Sequence, residues 1–264
     1  MKRSETTPVC AFAKPVFDLV ATLLLWMYYI LGFVILFAPF YLWAYLFSSN
    51  REQSFQKLTH RFFKGFFFLV RSLIPWSKWR IAEDVLKIRS SVIVCNHTSY
   101  LDSILLISLF ERCKTIAKSR FFKIPFLKQV IVFSGYIPST YEGGLSDLMI
   151  ERIEQMNDYL MAGGNFFVFP EGTRSRDGAI GRLNKGAFKI ARLCKKPIKV
   201  LFVRNTDKLF QPGKFLFNTC VANTITIDLL ASIEPDYQSD TGSTSELMLQ
   251  VRSLLEAQQA KPAA

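Results

Sequence analysis

Histidine is scarce in this chain of 264 residues, which has only His60 and His97. Cysteine is little used as well. Cys10, Cys95, Cys113, Cys194 and Cys220 make an odd set with no C-x-x-C pair. That argues against a disulfide framework or a zinc site and fits reduced thiols in a domain facing the cytosol. No G-x-S-x-G occurs, so a serine hydrolase built on a nucleophile elbow is excluded. No internal repeat is present, and residues 19–47 contain no charged side chain.

What is abundant is phenylalanine, with 25 residues, and positive charge, with a net +12. A basic chain selects anionic partners, and the apolar N-terminal quarter makes lipid headgroups a better match than nucleic acid. The uncharged run 19–47 exceeds the ~20 residues needed to cross a hydrocarbon core. It is too long for a signal-peptide core, and no small-residue cleavage site follows it. It fits either one long tilted span or a re-entrant hairpin broken at Pro39, which removes a helix hydrogen bond. Lys2, Arg3 and Lys14 precede the run, and Arg51, Lys57, Arg61 and Lys64 follow it, a bias that favours a cytoplasmic C-terminal domain. Residues 55–76 interleave Phe clusters with Lys57, Arg61, Lys64 and Arg71. They suit an interfacial helix in the headgroup layer or a core helix of the following domain. The chain therefore divides into a membrane-anchoring region, 1–75, and a catalytic domain, 76–264.

Beyond Pro75 short apolar runs alternate with helical patterns. Strands are predicted at 91–95, 115–118, 136–139, 165–169, 198–203 and 221–227, and helices at 101–112, 124–133, 145–162 and 183–194. Ser243 and Glu246 form a capping box for a last helix, and the tail 261–264 is expected to be disordered. This alternation predicts an α/β fold, a mixed central sheet flanked by helices, preceded by the N-terminal membrane-associated helical segment.

His97 lies at a strand-to-helix turn, where active-site groups project from open α/β sheets. Asp102, five residues on, falls in the first turn of the helix. Its carboxylate can fold back onto the imidazole, fix the tautomer and stabilise the imidazolium that forms on proton uptake. Such a pair is a base and its orienter without a protein nucleophile, so the nucleophile comes from the substrate. A second polar loop, Phe169-Pro170-Glu171-Gly172-Thr173-Arg174-Ser175, also follows an apolar strand. Glu171 and Arg174 beside a glycine suit an anionic or polyol ligand.

Residues 96–102 (NHTSYLD), followed about seventy residues later by 169–175 (FPEGTRS), resemble the motifs of the glycerolipid acyltransferase family that includes 1-acylglycerol-3-phosphate acyltransferases. The resemblance covers roughly 75–230. It implies His97 as general base with Asp102 orienting it, an acceptor site shaped by Glu171, Gly172 and Thr173, and Arg174 on the acceptor phosphate. Lys118 falls where the family places a basic residue.

It also implies acyl-CoA or acyl-carrier-protein as co-substrate, with no cofactor and no metal. The acceptor would be the free hydroxyl of a lysophospholipid, first of all 1-acyl-glycerol-3-phosphate giving phosphatidic acid. The expected location is a membrane, the bacterial inner membrane, with the catalytic domain facing the cytoplasm. Lys185 and Lys189 are candidates for the donor's phosphates, and the Phe-rich stretches 62–68 and 121–126 for an acyl channel.

Two departures stand out. Thr140 occupies the place of an arginine at the end of the middle motif, and Val200 that of a proline in the fourth. The first puts the acceptor's headgroup in question and keeps a larger-headed lysolipid or a lyso-aminolipid as an alternative. A CoA-independent transacylase, and a lysolipid-binding protein without catalysis, are the other readings.

Overall fold

The computed structural model describes residues 13–140, 145–175, 179–238 and 243–261. The tail 262–264, Lys2, Arg3 and Cys10 lie outside the described residues.

The N-terminal quarter is a helical hairpin. Helix α1 (Lys14–Met27) passes through π-helical turns (Tyr28–Phe37) into α2 (Ala38–Phe47), and α3 (Arg51–Leu73) returns. The wide turns lie just before Pro39, which has no N–H to donate to the i−4 carbonyl, so the helix widens there without reversing. The 34 residues from Lys14 to Phe47 are therefore one helical run long and apolar enough to cross a membrane. At ~1.5 Å per residue that is about 50 Å. Asn50 caps α3 by accepting the Gln53 amide at 2.9 Å.

The remaining elements are β1 (Ser77–Ile81), α4 (Glu83–Leu86), β2 (Val92–Cys95), α5 (Leu101–Leu109), β3 (Cys113–Ala117), a 3-10 turn (Ser119–Lys123), α6 (Leu127–Phe133), β4 (Ile137–Pro138), α7 (Leu145–Glu154), α8 (Met156–Met161), β5 (Asn165–Val168), α9 (Gly186–Leu193), β6 (Ile198–Arg204), α10 (Thr206–Leu209), β7 (Asn223–Ile233) and α11 (Thr244–Gln259). They form a seven-stranded sheet in the order β1-β7-β6-β2-β5-β3-β4. Strands β6, β2, β5, β3 and β4 run parallel, and β7 is antiparallel to β6, so the sheet is mixed as expected.

Alternate side chains serve two cores. Val92, Val94, Phe166 and Val168 face α8, α9 and α11, while Ile93, Cys95 and Phe167 face α3 and α5. Being covered on both sides, these strands are apolar throughout.

Several boundaries differ from the sequence reading. The helix predicted over 145–162 breaks at Gln155 into α7 and α8. Residues 124–126 are not helical, because Pro125 precedes a Phe126 held at positive φ. Strand β7 extends to Ile233, beyond the 221–227 prediction, and β1 was not foreseen; its SKWRI pattern is that of an edge strand of which only Ser77 is fully buried.

Helix α3 belongs to the main core. Phe62, Phe63, Phe66, Phe67 and Val70 are buried in the same cluster as Ile93 and Ile225, whereas Phe68 is 73% exposed. Of the two roles for 55–76, core packing is the one observed for most of this Phe-rich face. His60 is half-buried and its Nδ1 lies 3.0 Å from the Ile107 carbonyl; burial lowers its pKa.

A charged knot locks the hairpin to the sheet. The ammonium of Lys114, 1% exposed, lies 2.9 Å from Glu52 of α3, and Arg152 reaches the same carboxylate at 3.4 Å. Gly135 crosses this pair at φ +75, with Glu52 and Lys114 atoms 2.5 and 2.6 Å from where a Cβ would stand.

Candidate active site

The C-terminal ends of parallel strands are where open α/β sheets bind ligands. The registers Val94↔Val168, Thr115↔Phe167 and Ala117↔Pro138, continued past the strand ends, bring His97, Glu171, Ser119 and Thr140 to one level. His97 continues the Ile93–Cys95 side of β2, the side covered by α3 and α5.

His97 Nδ1 lies 2.9 Å from Asp102 Oδ2. The same oxygen accepts the backbone N–H groups of Thr98 and Ser99 at 2.7 and 2.8 Å. An oxygen already holding two donors is itself an acceptor, so Nδ1 carries a proton, and in the neutral imidazole Nε2 is the nitrogen with the lone pair. Among the described residues Nε2 has no hydrogen-bond partner. Asp102 is fully buried, and the imidazole is 14% exposed, with one face stacked on Phe169 at 4.1 Å between ring centres.

One further group on Asp102 was not foreseen from sequence. Thr206, the first residue of α10, donates from Oγ1 to Asp102 Oδ1 at 2.5 Å, with Thr98 Oγ1 3.3 Å away. Thr206 is 104 residues from Asp102 in sequence, and a lone Thr after a strand carries no signal of such a partner. Below it, Asn96 bridges β2 to β6 through both amide atoms and Val203, at 2.9 and 2.7 Å.

The 169–175 loop docks on His97 from both sides. Glu171 Oε1 accepts the His97 backbone N–H at 3.2 Å, Oε2 accepts that of Gly181 at 2.9 Å, and the Ser175 N–H donates to the His97 carbonyl at 2.8 Å. The Glu171 side chain thus braces the motif rather than standing open. Burial raises its pKa, partly offset by the Gly181 and His97 amides. Gly172 sits at φ +69, a turn that a side chain would strain, and Thr173 is exposed.

Arg174 lays its guanidinium 3.3 Å from the centre of the Tyr100 ring, three residues from His97. Its Nη1 is buried without a hydrogen-bond partner among the described residues. A buried guanidinium nitrogen left unsatisfied is costly unless an anion completes it.

Lys118 is exposed at the end of β3, two strands from His97, and is not in the His97–Arg174 cluster. Beside it Ser119 Oγ and Thr140 Oγ1 are 2.7 Å apart, so the position of the missing arginine holds a hydroxyl pair. Lys185 and Lys189 are exposed on and before α9.

Comparison with known proteins agrees with this architecture. A family model described as Acyltransferase matches residues 77–203, which span β1 to β6 and both motif loops. The 1-acyl-sn-glycerol-3-phosphate acyltransferase BAT2, chloroplastic, of Brassica napus is 34% identical over 122 residues, 46% of this chain and 35% of that protein. The 1-acyl-sn-glycerol-3-phosphate acyltransferase LPAT1, chloroplastic, of Arabidopsis thaliana is 32% identical over 146 residues, 54% of this chain and 40% of that protein. The chain thus spans well under half the length of these two curated relatives. The crystal structure of the 1-acyl-sn-glycerophosphate acyltransferase PlsC from Thermotoga maritima superposes with a TM-score of 0.71 over 95% of this chain and 100% of that one; at 20% identity it speaks for the fold. Over residues 77–203 the chain is thus similar to the Acyltransferase family model, and over a comparable stretch to the 1-acyl-sn-glycerol-3-phosphate acyltransferases of these plants.

Proposed function

We propose that this protein transfers a fatty acyl chain from the thioester of acyl-CoA or acyl carrier protein to the free hydroxyl of 1-acyl-glycerol-3-phosphate, yielding phosphatidic acid. The observation that carries the proposal is the His97–Asp102 pair at 2.9 Å, with the loop that docks on the His97 backbone carrying Arg174, whose buried Nη1 has no partner among the described residues. The acceptor's phosphate would complete Arg174 and bring its hydroxyl to His97. Nε2 takes the hydroxyl proton as the oxygen attacks the thioester carbonyl, and the imidazolium, held by Asp102, returns a proton to the departing thiolate. No protein nucleophile is needed, and no acyl-enzyme forms.

The surroundings support a bilayer-borne acceptor. Val16, Leu23, Ile35, Phe40, Trp43 and Phe47 each leave about half or more of their surface bare on the 14–47 helical run. His97 points to the sheet face that this hairpin covers. In this reading the protein sits in the bacterial inner membrane with the sheet on the cytoplasmic side.

Replacing Arg174 by Ala tests the acceptor site. The KM for 1-acyl-glycerol-3-phosphate should rise about tenfold, the lower range for hydrogen bonds to a charged group, with kcat largely kept. An unchanged KM removes Arg174 from the phosphate. The Ser119–Thr140 hydroxyl pair favours one variation, an acceptor with a larger polar head in place of a second basic contact. A panel of lysolipids offered with both thioester donors, read by mass spectrometry, separates the two and identifies the donor. Product formed without either thioester would mark a transacylase.

Thr206→Val keeps the side-chain shape and removes the hydroxyl from Asp102. Losing one hydrogen bond to a carboxylate, about 1.4 kcal/mol, lowers kcat about tenfold. The hydroxyl fixes the carboxylate that orients His97, so the loss falls on kcat with both KM values kept, and Thr206→Ser restores it. An unchanged kcat, or a fall in kcat that tracks a lowered thermal midpoint and is not restored by Ser, would make Thr206 merely structural.

A further inference from the structure

The segment between β3 and α6 carries a backbone conformation that its own contacts do not explain. Phe126 has φ 63 and ψ −46, and the Leu127 N–H donates to the Pro125 carbonyl at 2.7 Å. This is the γ-turn with positive φ, a rare and strained arrangement for any side-chain-bearing residue. The strain presents an apolar ring to solvent: Phe126 is 77% exposed, more than any other large apolar residue described, and Ile124 beside it is 44% exposed. Arg120, Lys123 and Lys128 flank the tip in the chain, all exposed, and no acidic residue occurs from 118 to 128.

The placement of the turn indicates what covers it. It leads into α6, whose Val130 and Phe133 pack against Tyr41 and Phe55 of the hairpin, with Phe133 5.2 Å from the Tyr45 ring. The turn is thus continuous with the helical run whose apolar surface is bare, and on the same face of the sheet. It also follows β3 at the level of His97. A bare aromatic tip flanked by cations is the pattern of a segment that sits at the boundary between headgroups and acyl chains.

We propose that the 120–128 turn is a second lipid contact, inserting Phe126 into an anionic bilayer and holding the open edge of the site against the surface from which the acceptor comes. This rests on the membrane location proposed above, and the test separates the two. Full-length Phe126→Cys in a Cys10→Ser background is labelled with an environment-sensitive nitrobenzoxadiazole group, and mixed with vesicles of phosphatidylcholine with or without phosphatidylglycerol. Leu193→Cys, exposed on α9 across the sheet, is the reference.

The label at 126 should shift to the blue and be quenched by bromine on the acyl chains, more strongly with phosphatidylglycerol, while the label at 193 stays in water. Phe126→Gly, which relieves the turn, should keep or raise the thermal midpoint and lower turnover of vesicle-borne acceptor more than that of detergent-dispersed acceptor. If the protein floats with vesicles but the label at 126 remains in water, the proposal is overturned and the membrane location stands. A label that becomes dry only on adding an acidic carrier protein would overturn it in favour of a protein partner. If the protein does not float, the location falls and takes the proposal with it.

Discussion

His97→Ala is expected to lower acyl transfer by about a thousandfold, within the span that a positioned general base contributes, while the fold and vesicle binding persist. Among the described residues the side chain bonds to Asp102 and stacks on Phe169, and the backbone bonds of His97 to Glu171 and Ser175 need no imidazole. Removing the ring thus leaves the 169–175 loop docked and the β2–α5 turn intact. Turnover is the quantity to measure, with the circular dichroism melt and vesicle flotation as controls. Near-normal kcat in a folded mutant would remove His97 from the chemistry.

The second large effect concerns Asp102→Asn and has a particular size because of how the carboxylate is held. Oδ2 lies among three donors, His97 Nδ1 and the Thr98 and Ser99 amides, whereas Oδ1 meets, among the described residues, the Thr206 hydroxyl alone. An amide nitrogen cannot occupy the Oδ2 position, so the Asn carbonyl must take it and its NH2 must turn to Thr206, whose oxygen can accept. The His97 tautomer is thereby preserved, and only the charge that stabilises the imidazolium is lost. The expected fall in kcat is about a hundredfold, well short of the ~10⁴ seen where the same change forces the wrong tautomer. In the double variant Asp102→Asn, Thr206→Val the NH2 loses its acceptor, and the loss should exceed the product of the two single effects. Simple multiplication of the two would show that the amide does not depend on Thr206.

The sequence made the site's local half legible. His97 and Asp102 are five apart across a strand-to-helix turn, and that spacing alone lets one reach the other. The strands over 92–95, 165–168 and 198–204 are marked by the apolar runs 92–95, 166–168 and 200–203, because helices cover both faces of the sheet.

The rest depends on distance in the chain. Thr206, Asn96 with Val203, and the Lys114–Glu52–Arg152 knot join segments 38 or more residues apart, and nothing local marks them. Glu171 was read as facing a ligand because a loop carboxylate beside an arginine invites that reading. In the fold it meets two backbone amides instead, since the loop can only close on His97 by satisfying them. Helix α3 was ambiguous for a different reason: Phe beside Lys and Arg is the composition of an interfacial helix and equally of a core helix with one wet side. Only the contacts of Phe62, Phe66 and Val70 with the sheet distinguish the two.

The central claim is that the attacking oxygen belongs to a lipid and never to the protein. The direct measurement is to mix enzyme in excess with a labelled acyl thioester, first alone and then with 1-acyl-glycerol-3-phosphate, and to follow the label by intact-protein and lipid mass spectrometry. The account predicts that thioester alone leaves the protein mass unchanged, and that label appears as phosphatidic acid once the lysolipid is added. Label bound covalently to the protein before the acceptor arrives, or no labelled lipid after it, would contradict the account.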